Sequence, residues 1–249
     1  MTVVGIIGGS GLDDPDILKY SKEIEIQTPY GKPSSAFLAG SIKGVDTLIL
    51  ARHGRRHQLS PSQVNNRANI DALKRAGATH IIATTACGSL KQEIERGHLV
   101  VLDQFIDFTR FRKNTFADSF EGGAAHTAMA HPFDRNLGQK LYESAKALDL
   151  AVHERGCVVT IEGPRFSTVA ESKMFCLWGA DVVNMSTAPE AMLANEAGIP
   201  YAAVAMSTDY DCWKEDEAPV TWDEILAVFH RNADNVKKVI VNTIGSIDQ

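Results

Sequence analysis

The chain has 249 residues, of which 44% are hydrophobic and 22% charged, a balance that is ordinary for a globular protein the size of one large α/β domain. Its net charge of −6 argues against a nucleic-acid-binding protein, which would usually present a basic face. The apolar runs are far too short for a membrane span, and residues 1–7 lack the basic residues of a signal peptide. Four scattered cysteines without CxxC spacing predict reduced thiols, so we expect a cytoplasmic protein.

Short β-rich runs alternate with helical patterns, and no linker, repeat or low-complexity tract divides the chain. This alternation predicts a single domain over residues 1–249 with a three-layer α/β fold, in which helices flank a central mixed β-sheet. Apolar runs predict strands at 3–7, at 36–42 and 46–51 as a hairpin, and at 80–84, 99–105, 157–161, 181–184 and 202–206. Helical periodicity predicts helices at 63–76, with Ser62 as the N-cap, and at 135–148, 168–178, 189–197 and 222–244.

Four segments that follow predicted strands carry anion-binding groups: Gly8–Gly11, Arg52–His57, Thr84–Ser89 and Asn184–Thr187. Glycine amides can form a small anion nest, an Arg guanidinium matches phosphate oxygens, and a His adds a donor near neutral pH. Each segment alone also fits a simpler interpretation as a tight turn, a solvated basic loop or a helix cap. Together, hydroxyls, amides, Arg and His at several strand ends predict a phosphate pocket.

The sequence gives little support for a metal or an organic cofactor. His53 and His57 have H-x-x-x-H spacing, but residues 54–56 are Gly-Arg-Arg, where a zincin carries a Glu, and the nearby arginines would repel a cation. The glycine run at 8–11 does not match G-x-G-x-x-G and has no P-loop Lys after it. We therefore expect no metal and no cofactor, and a nicotinamide-dependent oxidoreductase is disfavoured.

Two carboxylates, Asp209 and Asp211, follow the apolar run at 202–206. Ligands bind at the carboxyl ends of the strands in an open α/β sheet, and residues two apart on extended backbone point to the same side. A crowded pair of carboxylates can also hold a proton near neutral pH, as a general acid must. The competing interpretation is a turn in which both Asp side chains cap backbone amides.

Seven stretches, in this order along the chain, carry a specific pattern: Gly8-Gly9-Ser10-Gly11-Leu12, Arg52-His53-Gly54-Arg55, Thr84-Thr85-Ala86-Cys87-Gly88-Ser89-Leu90, Asp103-Gln104-Phe105-Ile106-Asp107, Ile161-Glu162-Gly163-Pro164-Arg165-Phe166-Ser167, Asn184-Met185-Ser186-Thr187 and Thr208-Asp209-Tyr210-Asp211-Cys212-Trp213. With these stretches the chain resembles the purine nucleoside phosphorylase superfamily, and within it the trimeric members that cleave S-methyl-5′-thioadenosine. The resemblance covers nearly the whole chain.

The resemblance implies a homotrimer with active sites at subunit interfaces, and reversible phosphorolysis without a cofactor. Inorganic phosphate is the co-substrate; it attacks C1′ of the ribosyl group, and adenine leaves. By the same resemblance, phosphate would be held by Ser10, Arg52, His53, Thr85, Ala86 and Ser186. The nucleoside would be bound by Met185, Phe166, Asp209, Tyr210 and Asp211, with Ser167 beside the base and Trp222 in the segment that lines the 5′ pocket. His126 matches a histidine that a neighbouring subunit lends to the 5′ end of the substrate.

Asp209 and Asp211 are also the residues expected to protonate and recognise the purine base. Cleavage of the N-glycosidic bond places negative charge on the departing purine, and Asp209 is our candidate for the proton donor to N7. The 6-amino group of adenine is a donor, whereas a carboxylate accepts, so Asp209 with Asp211 favours adenine over a 6-oxopurine. Two alternatives remain: a phosphorylase of 6-oxopurine nucleosides or methylthioinosine, and a catalytically silent nucleoside-binding protein on the same scaffold.

Overall fold

The computed structural model describes residues 1–9, 17–124, 126–216 and 221–247. In these ranges the chain forms nine β-strands and five α-helices. The strands are β1 (Val3–Gly8), β2 (Lys19–Ile24), β3 (Phe37–Ile42), β4 (Val45–Ala51), β5 (His80–Ser89), β6 (Leu99–Phe108), β7 (Val152–Ile161), β8 (Val182–Asn184) and β9 (Tyr201–Tyr210). The helices are α1 (Asn66–Arg75), α2 (Arg135–Ala147), α3 (Val169–Leu177), α4 (Thr187–Ala197) and α5 (Trp222–Ser246).

The nine strands form one sheet in the order β2-β3-β4-β1-β5-β8-β7-β6-β9. Strand β9 pairs with β6 and also with β5, so the five strands from β5 to β9 close into a ring. Parallel pairs such as β1–β4, β1–β5 and β5–β9 occur beside antiparallel pairs such as β3–β4 and β6–β9. The predicted mixed sheet, including the β3–β4 hairpin, is therefore confirmed.

Helices cover both faces of this sheet. Ile70 of α1 and Leu193 of α4 lie in one buried cluster with residues from the strands. Leu141 of α2 and Ile240 of α5 lie in a second cluster, again with strand residues. Because the two clusters are built on different helix pairs, the sheet lies between two helical layers, which confirms the predicted three-layer α/β fold. No helix in the four described ranges is long and apolar enough to cross a membrane.

Several element boundaries differ from the predictions, each for a local reason. Strand β2 was not predicted because it is an exposed edge strand of mostly polar residues, without the apolar alternation that signals a strand. Ser62 is not the N-cap of α1, because it lies in the 3-10 turn Pro61–Gln63. The N-cap is Asn65, whose side chain accepts a hydrogen bond from the amide of Ala68 at 3.1 Å.

Strand β9 runs on to Tyr210, so Asp209 belongs to the strand and not to a turn after it. The same holds for Thr84–Ser89, which continue β5 where the sequence suggested a loop or a capped turn. Both strands continue because the polar end of β5 pairs with the polar end of β9. Gly88 lies opposite Asp209, and Ser89 lies opposite Tyr210. The interpretation of the Asp209 segment as a simple turn is therefore wrong.

The packing of α1 against β1 yields a stability prediction. Leu73 is fully buried, and its Cδ2 atom would lie 2.8 Å from a Cβ added to Gly5 of β1. We expect Leu73→Ala to lower the free energy of unfolding by about 2–5 kcal/mol, because it removes buried apolar contacts and leaves a cavity. Leu177→Ala is the matched control, since Leu177 is 87% exposed, and should change stability by less than about 0.5 kcal/mol. Equal losses in chemical denaturation would contradict this packing.

Candidate active site

A cavity of about 640 Å³ opens at the carboxyl ends of β4, β5, β8 and β9. This is the edge of an α/β sheet at which ligands are expected to bind. Ten residues that the sequence predicted for the site line it together: Arg52, His53, Thr85, Ala86, Phe166, Ser167, Met185, Ser186, Asp209 and Asp211. The structure therefore brings residues from most of the length of the chain to one place.

Arg52, directly after β4, forms a buried ion pair with Glu190 of α4. Its Nε lies 2.5 Å from Glu190 Oε1 and its Nη2 lies 3.0 Å from Oε2, so the fork of the guanidinium binds this carboxylate. Nη2 also donates to the carbonyl of Ile7, and Nη1 donates to that of Thr84. These contacts use four of the five N–H groups of an arginine. The remaining N–H is on Nη1, which would lie 3.5 Å from a Cβ on Gly9.

Glu190 is itself held by a third buried group. The hydroxyl of Tyr201 donates to Glu190 Oε2 at 2.8 Å, and Tyr201 is 1% exposed. Burial alone would lower the pKa of the Arg52 guanidinium, but the charge and hydrogen bonds of Glu190 outweigh it and raise that pKa. Burial and the nearby Glu190 charge also raise the pKa of Tyr201 well above its usual value. Arg52 is thus a permanently charged group with its counter-ion already in place.

A pair of hydroxyls lies beside this ion pair. Thr85 Oγ1 and Ser186 Oγ are 3.1 Å apart, on β5 and at the N-cap position of α4 respectively. Ser186 makes no side-chain capping bond, so its hydroxyl is directed to Thr85 and not to the helix amides. Asn184 supports both elements, because its Nδ2 donates to Thr85 Oγ1 at 3.4 Å and to Thr187 Oγ1 at 2.8 Å. Hydroxyls at a helix N-terminus are well suited to an anion.

His53 is held as a neutral ring. Its Nδ1 lies 2.9 Å from the carbonyl oxygen of Leu59, and since a carbonyl only accepts, Nδ1 carries the proton. Burial, followed by the positive charge of Arg52, lowers the pKa of His53 to about 4. Near pH 7 the Nε2 atom of His53 is therefore a hydrogen-bond acceptor.

The two carboxylates lie at the other end of the cavity. Asp209 and Asp211 are both buried, and Thr208 Oγ1 donates to Asp209 Oδ1 at 2.7 Å. Within the described residues, Asp211 Oδ2 is buried and has no hydrogen-bond partner. Burial raises the pKa of Asp211 above its usual value, although hydrogen bonding of its carboxyl group with the hydroxyls of Ser172 and Ser167 acts to lower it. A buried acceptor without a partner is what a donor on a ligand could satisfy.

Tyr210 does not line the cavity as the described residues define it. It lies between Asp209 and Asp211 in sequence, so the alternation of the strand turns its side chain to the other face. There its hydroxyl donates to the carbonyl of Gln92 at 2.9 Å, and its ring packs against Trp213. These contacts hold the Tyr210 side chain outside the described cavity lining, and the binding of the nucleoside by Tyr210 stays a prediction.

Three further predicted residues lie elsewhere or cannot be placed. His126 is exposed, with its ring edge-on to Phe120, and is not among the described residues that line this cavity. Ser10 lies outside the described residues. Trp222 is the first residue of α5, but its side chain lies outside the described part of the structure.

Sequence reasoning missed two important groups. Glu190 has no local signal beyond an acidic residue in a largely apolar helix, and its partner Arg52 is 138 positions away. The 57–63 loop, which carries the 3-10 turn, forms one wall of the cavity and carries only generic turn residues. In the described part of the chain, no cluster of three or more His, Cys, Asp or Glu residues could hold a metal ion.

Comparisons with known proteins agree with this geometry. The family model described as the phosphorylase superfamily matches residues 3–245. The chain belongs to the phosphorylase superfamily. The S-methyl-5′-thioadenosine phosphorylase of Xenopus tropicalis is 54% identical over 248 residues, which are 98% of this chain and 88% of that relative. The enzyme of the same name from Danio rerio is 52% identical and covers 99% of this chain and 89% of its own.

A solved structure extends the likeness to three dimensions. Methylthioadenosine phosphorylase from Schistosoma mansoni, in complex with adenine, has a TM-score of 0.95 and 41% identity, covering 100% of this chain and 92% of its own. The predictions of the family and of a phosphorylase-type fold are thus confirmed. As a member of the phosphorylase superfamily, the protein is a pentosyltransferase.

The buried ion pair gives a prediction for stability. We expect Glu190→Gln to lower the free energy of unfolding by about 3–5 kcal/mol, because it leaves the Arg52 guanidinium buried without its counter-ion. The double variant Arg52→Met with Glu190→Leu replaces both charges by apolar groups and should recover most of that loss. Urea unfolding of the three proteins measures this, and a double variant less stable than Glu190→Gln would show that the pair is not a coupled unit.

Proposed function

We propose that this protein catalyses the reversible phosphorolysis of S-methyl-5′-thioadenosine to adenine and 5-methylthioribose 1-phosphate, a reaction of purine and methionine salvage. The observation that carries the proposal is one cavity with anion-binding groups at one end and two buried carboxylates at the other. The relatives that bear the name of this activity support the same assignment.

The phosphate end follows from the hydrogen-bonding groups. We assign phosphate to the fifth N–H of Arg52, on Nη1, to the hydroxyls of Thr85 and Ser186 and to the backbone at Ala86. His53 Nε2 accepts from a protonated oxygen of the phosphate. Ser10 completes the set by family resemblance. Phosphate held beneath C1′ stabilises the positive charge that builds on the ribosyl ring and then bonds to C1′. Because these groups are already fixed by Glu190 and Asn184, they reorganise little during the reaction.

The base end is assigned to the two carboxylates. Asp209 donates a proton to N7 of the departing purine, so that adenine leaves as a neutral molecule. Asp211, with its unpartnered Oδ2, accepts from the 6-amino group of adenine. A 6-oxopurine offers an acceptor at this position and would leave that oxygen unpaired. The site therefore favours adenine over hypoxanthine or guanine.

The rest of the pocket and its setting complete the proposal. Met185 contacts the ribosyl hydroxyls, Phe166 packs against the base with Ser167 beside it, and Trp222 belongs to the 5′ pocket. We propose a homotrimer in which the exposed His126 reaches the active site of a neighbouring subunit. The chain acts as a single domain over residues 1–249, uses no cofactor, and works in the cytoplasm, where its four free cysteines stay reduced.

Two substitutions separate the roles of the two ends of the cavity. Asp209→Ala should lower kcat by about 10²–10⁴-fold, because it removes the proton donor. Arg52→Ala should chiefly raise the KM for phosphate. Steady-state kinetics with each substrate varied in turn measure both effects, with thermal unfolding to check that each variant is folded. Near-normal turnover of Asp209→Ala would rule out its acid role.

A substrate panel tests the choice of base. Phosphate-dependent release of the free base should be faster from S-methyl-5′-thioadenosine than from inosine or methylthioinosine. Asp211→Asn, which can donate to a 6-oxo group, should shift the ratio of kcat/KM towards inosine. Faster cleavage of inosine by the unaltered protein would identify a 6-oxopurine phosphorylase, and binding of nucleoside without cleavage would identify a binding protein.

A further inference from the structure

One carboxylate outside the cavity lining is bound by two distant segments of the chain. Glu162 Oε1 accepts from Ser62 Oγ at 2.7 Å and from Arg112 Nε at 2.8 Å. Its Oε2 accepts from the backbone amides of Arg110 at 2.8 Å and Phe111 at 3.2 Å. Burial would raise the pKa of Glu162, but the hydrogen bonds from Arg110, Arg112 and Ser62 outweigh it and lower that pKa to about 2. The carboxylate is thus fully ionised in the working range of an enzyme.

The segments that meet at Glu162 are next to the walls of the cavity. Ser62 lies between Pro61 and Gln63, which both line the cavity, and Pro164, two residues after Glu162, lines the facing wall. The two walls lie close together, because a Cβ added to Gly163 would come within van der Waals contact of Pro61 Cγ, at 3.4 Å. The bonds of Glu162 therefore fix the 57–63 loop relative to the 161–167 loop, which carries Phe166.

An ordinary ion pair on the same loop shows how different this arrangement is. Glu171 pairs with Arg165 through two bonds of 2.7 Å, but the two residues are only six apart and the arginine is largely exposed. Glu162 instead reaches Ser62 across 100 positions and Arg112 across 50. The side chain of Arg112 is 2% exposed, so its charge is buried and paired with Glu162. The contact between Glu162 and Arg112 joins distant parts of the chain, whereas the exposed pair of Arg165 and Glu171 contributes little to stability.

We propose that Glu162 is a positioning residue that sets the width of the nucleoside end of the cavity by joining the 57–63 loop, the 110–112 segment and the 161–167 loop. It acts through Pro61 and Phe166 and does not contact the reacting atoms. That the ligand at this end is a nucleoside rests on the proposed function. The joining of the three segments rests on the contacts of Glu162.

Glu162→Gln is the test. A carboxylate accepts at both oxygens, but an amide accepts at one and donates at the other, so a Gln must oppose either Arg112 Nε or the amides of residues 110 and 111. We expect the KM for S-methyl-5′-thioadenosine to rise at least tenfold, with kcat and the KM for phosphate within threefold of wild type. Those two parameters should hold because Asp209 and Arg52 are fixed by other contacts. Amide hydrogen exchange should become faster in both 57–63 and 110–112.

Glu196→Gln is the matched control. Glu196 accepts from the amide of Phe116 at 3.0 and 3.1 Å and from the hydroxyl of Thr115, so it anchors the segment that follows residue 112 without bonding to the 57–63 loop. Its nucleoside KM should stay within threefold of wild type, with faster exchange only near 115–117. A nucleoside KM for Glu162→Gln within threefold of wild type, or an equal rise in Glu196→Gln, would overturn the proposal.

Two further measurements keep the test decisive. If Glu162→Gln does not fold, Ser62→Ala removes only the bond from Ser62 Oγ to Glu162 and should still raise the nucleoside KM more than threefold. A value within threefold of wild type would count against the junction. If the wild-type protein releases no adenine from S-methyl-5′-thioadenosine, the proposed function fails. Hydrogen exchange in 57–63 then decides the role of Glu162 on its own, since unchanged exchange in Glu162→Gln would overturn it.

Discussion

Arg52 and Glu190 face each other in the interior where β4 ends and α4 passes beneath it, and the arrangement of the active site depends on this contact. Moving two charges out of water is costly, and it is tolerated only where good geometry and further hydrogen bonds compensate. Here the guanidinium also binds the carbonyls of Ile7 and Thr84, so the strands β1, β4 and β5 are tied to one helix. Tyr201 completes the set from the beginning of β9. The floor of the cavity is therefore held by one buried polar cluster.

This cluster also determines which groups at the site can bind an anion. Arg52 brings its counter-ion with it, and His53 is neutral near pH 7, so neither adds net positive charge to the phosphate end. Phosphate would be bound largely by oriented dipoles, namely the hydroxyls of Thr85 and Ser186 and the start of α4. Fixed dipoles stabilise developing charge without reorganising during the reaction. At the opposite end, burial raises the pKa of Asp211 above its usual value.

Local sequence patterns could predict the structural features that depend only on neighbouring residues. Strands buried on both faces appear as continuous apolar runs, which is why β1, β4 and β9 were found, and their polar ends pointed to the site. Strand β2 could not be found this way, because an exposed edge strand needs no apolar face. Glu190 and Glu162 could not be found either. Glu190 pairs with Arg52 across 138 positions, and the partners of Glu162 lie at least 50 positions away, so nothing in the neighbouring residues records these pairings.

The directions in which the Asp209 and Asp211 side chains point could not be predicted from the local sequence either. Ser207 pairs with Cys87, but Gly88 pairs with Asp209, so Thr208 is an extra residue in β9. Such a bulge exchanges the faces to which later side chains point, and bulges often occur next to active sites. Asp209 and Asp211 therefore point into the cavity at the position where Gly88 lacks a side chain. A Cβ there would lie 3.4 Å from Asp211 Cβ and 3.5 Å from Asp209 Oδ2. The inserted residue on β9 lies opposite Gly88 on β5, where both carboxylates pack, and only the pairing of the strands reveals this placement.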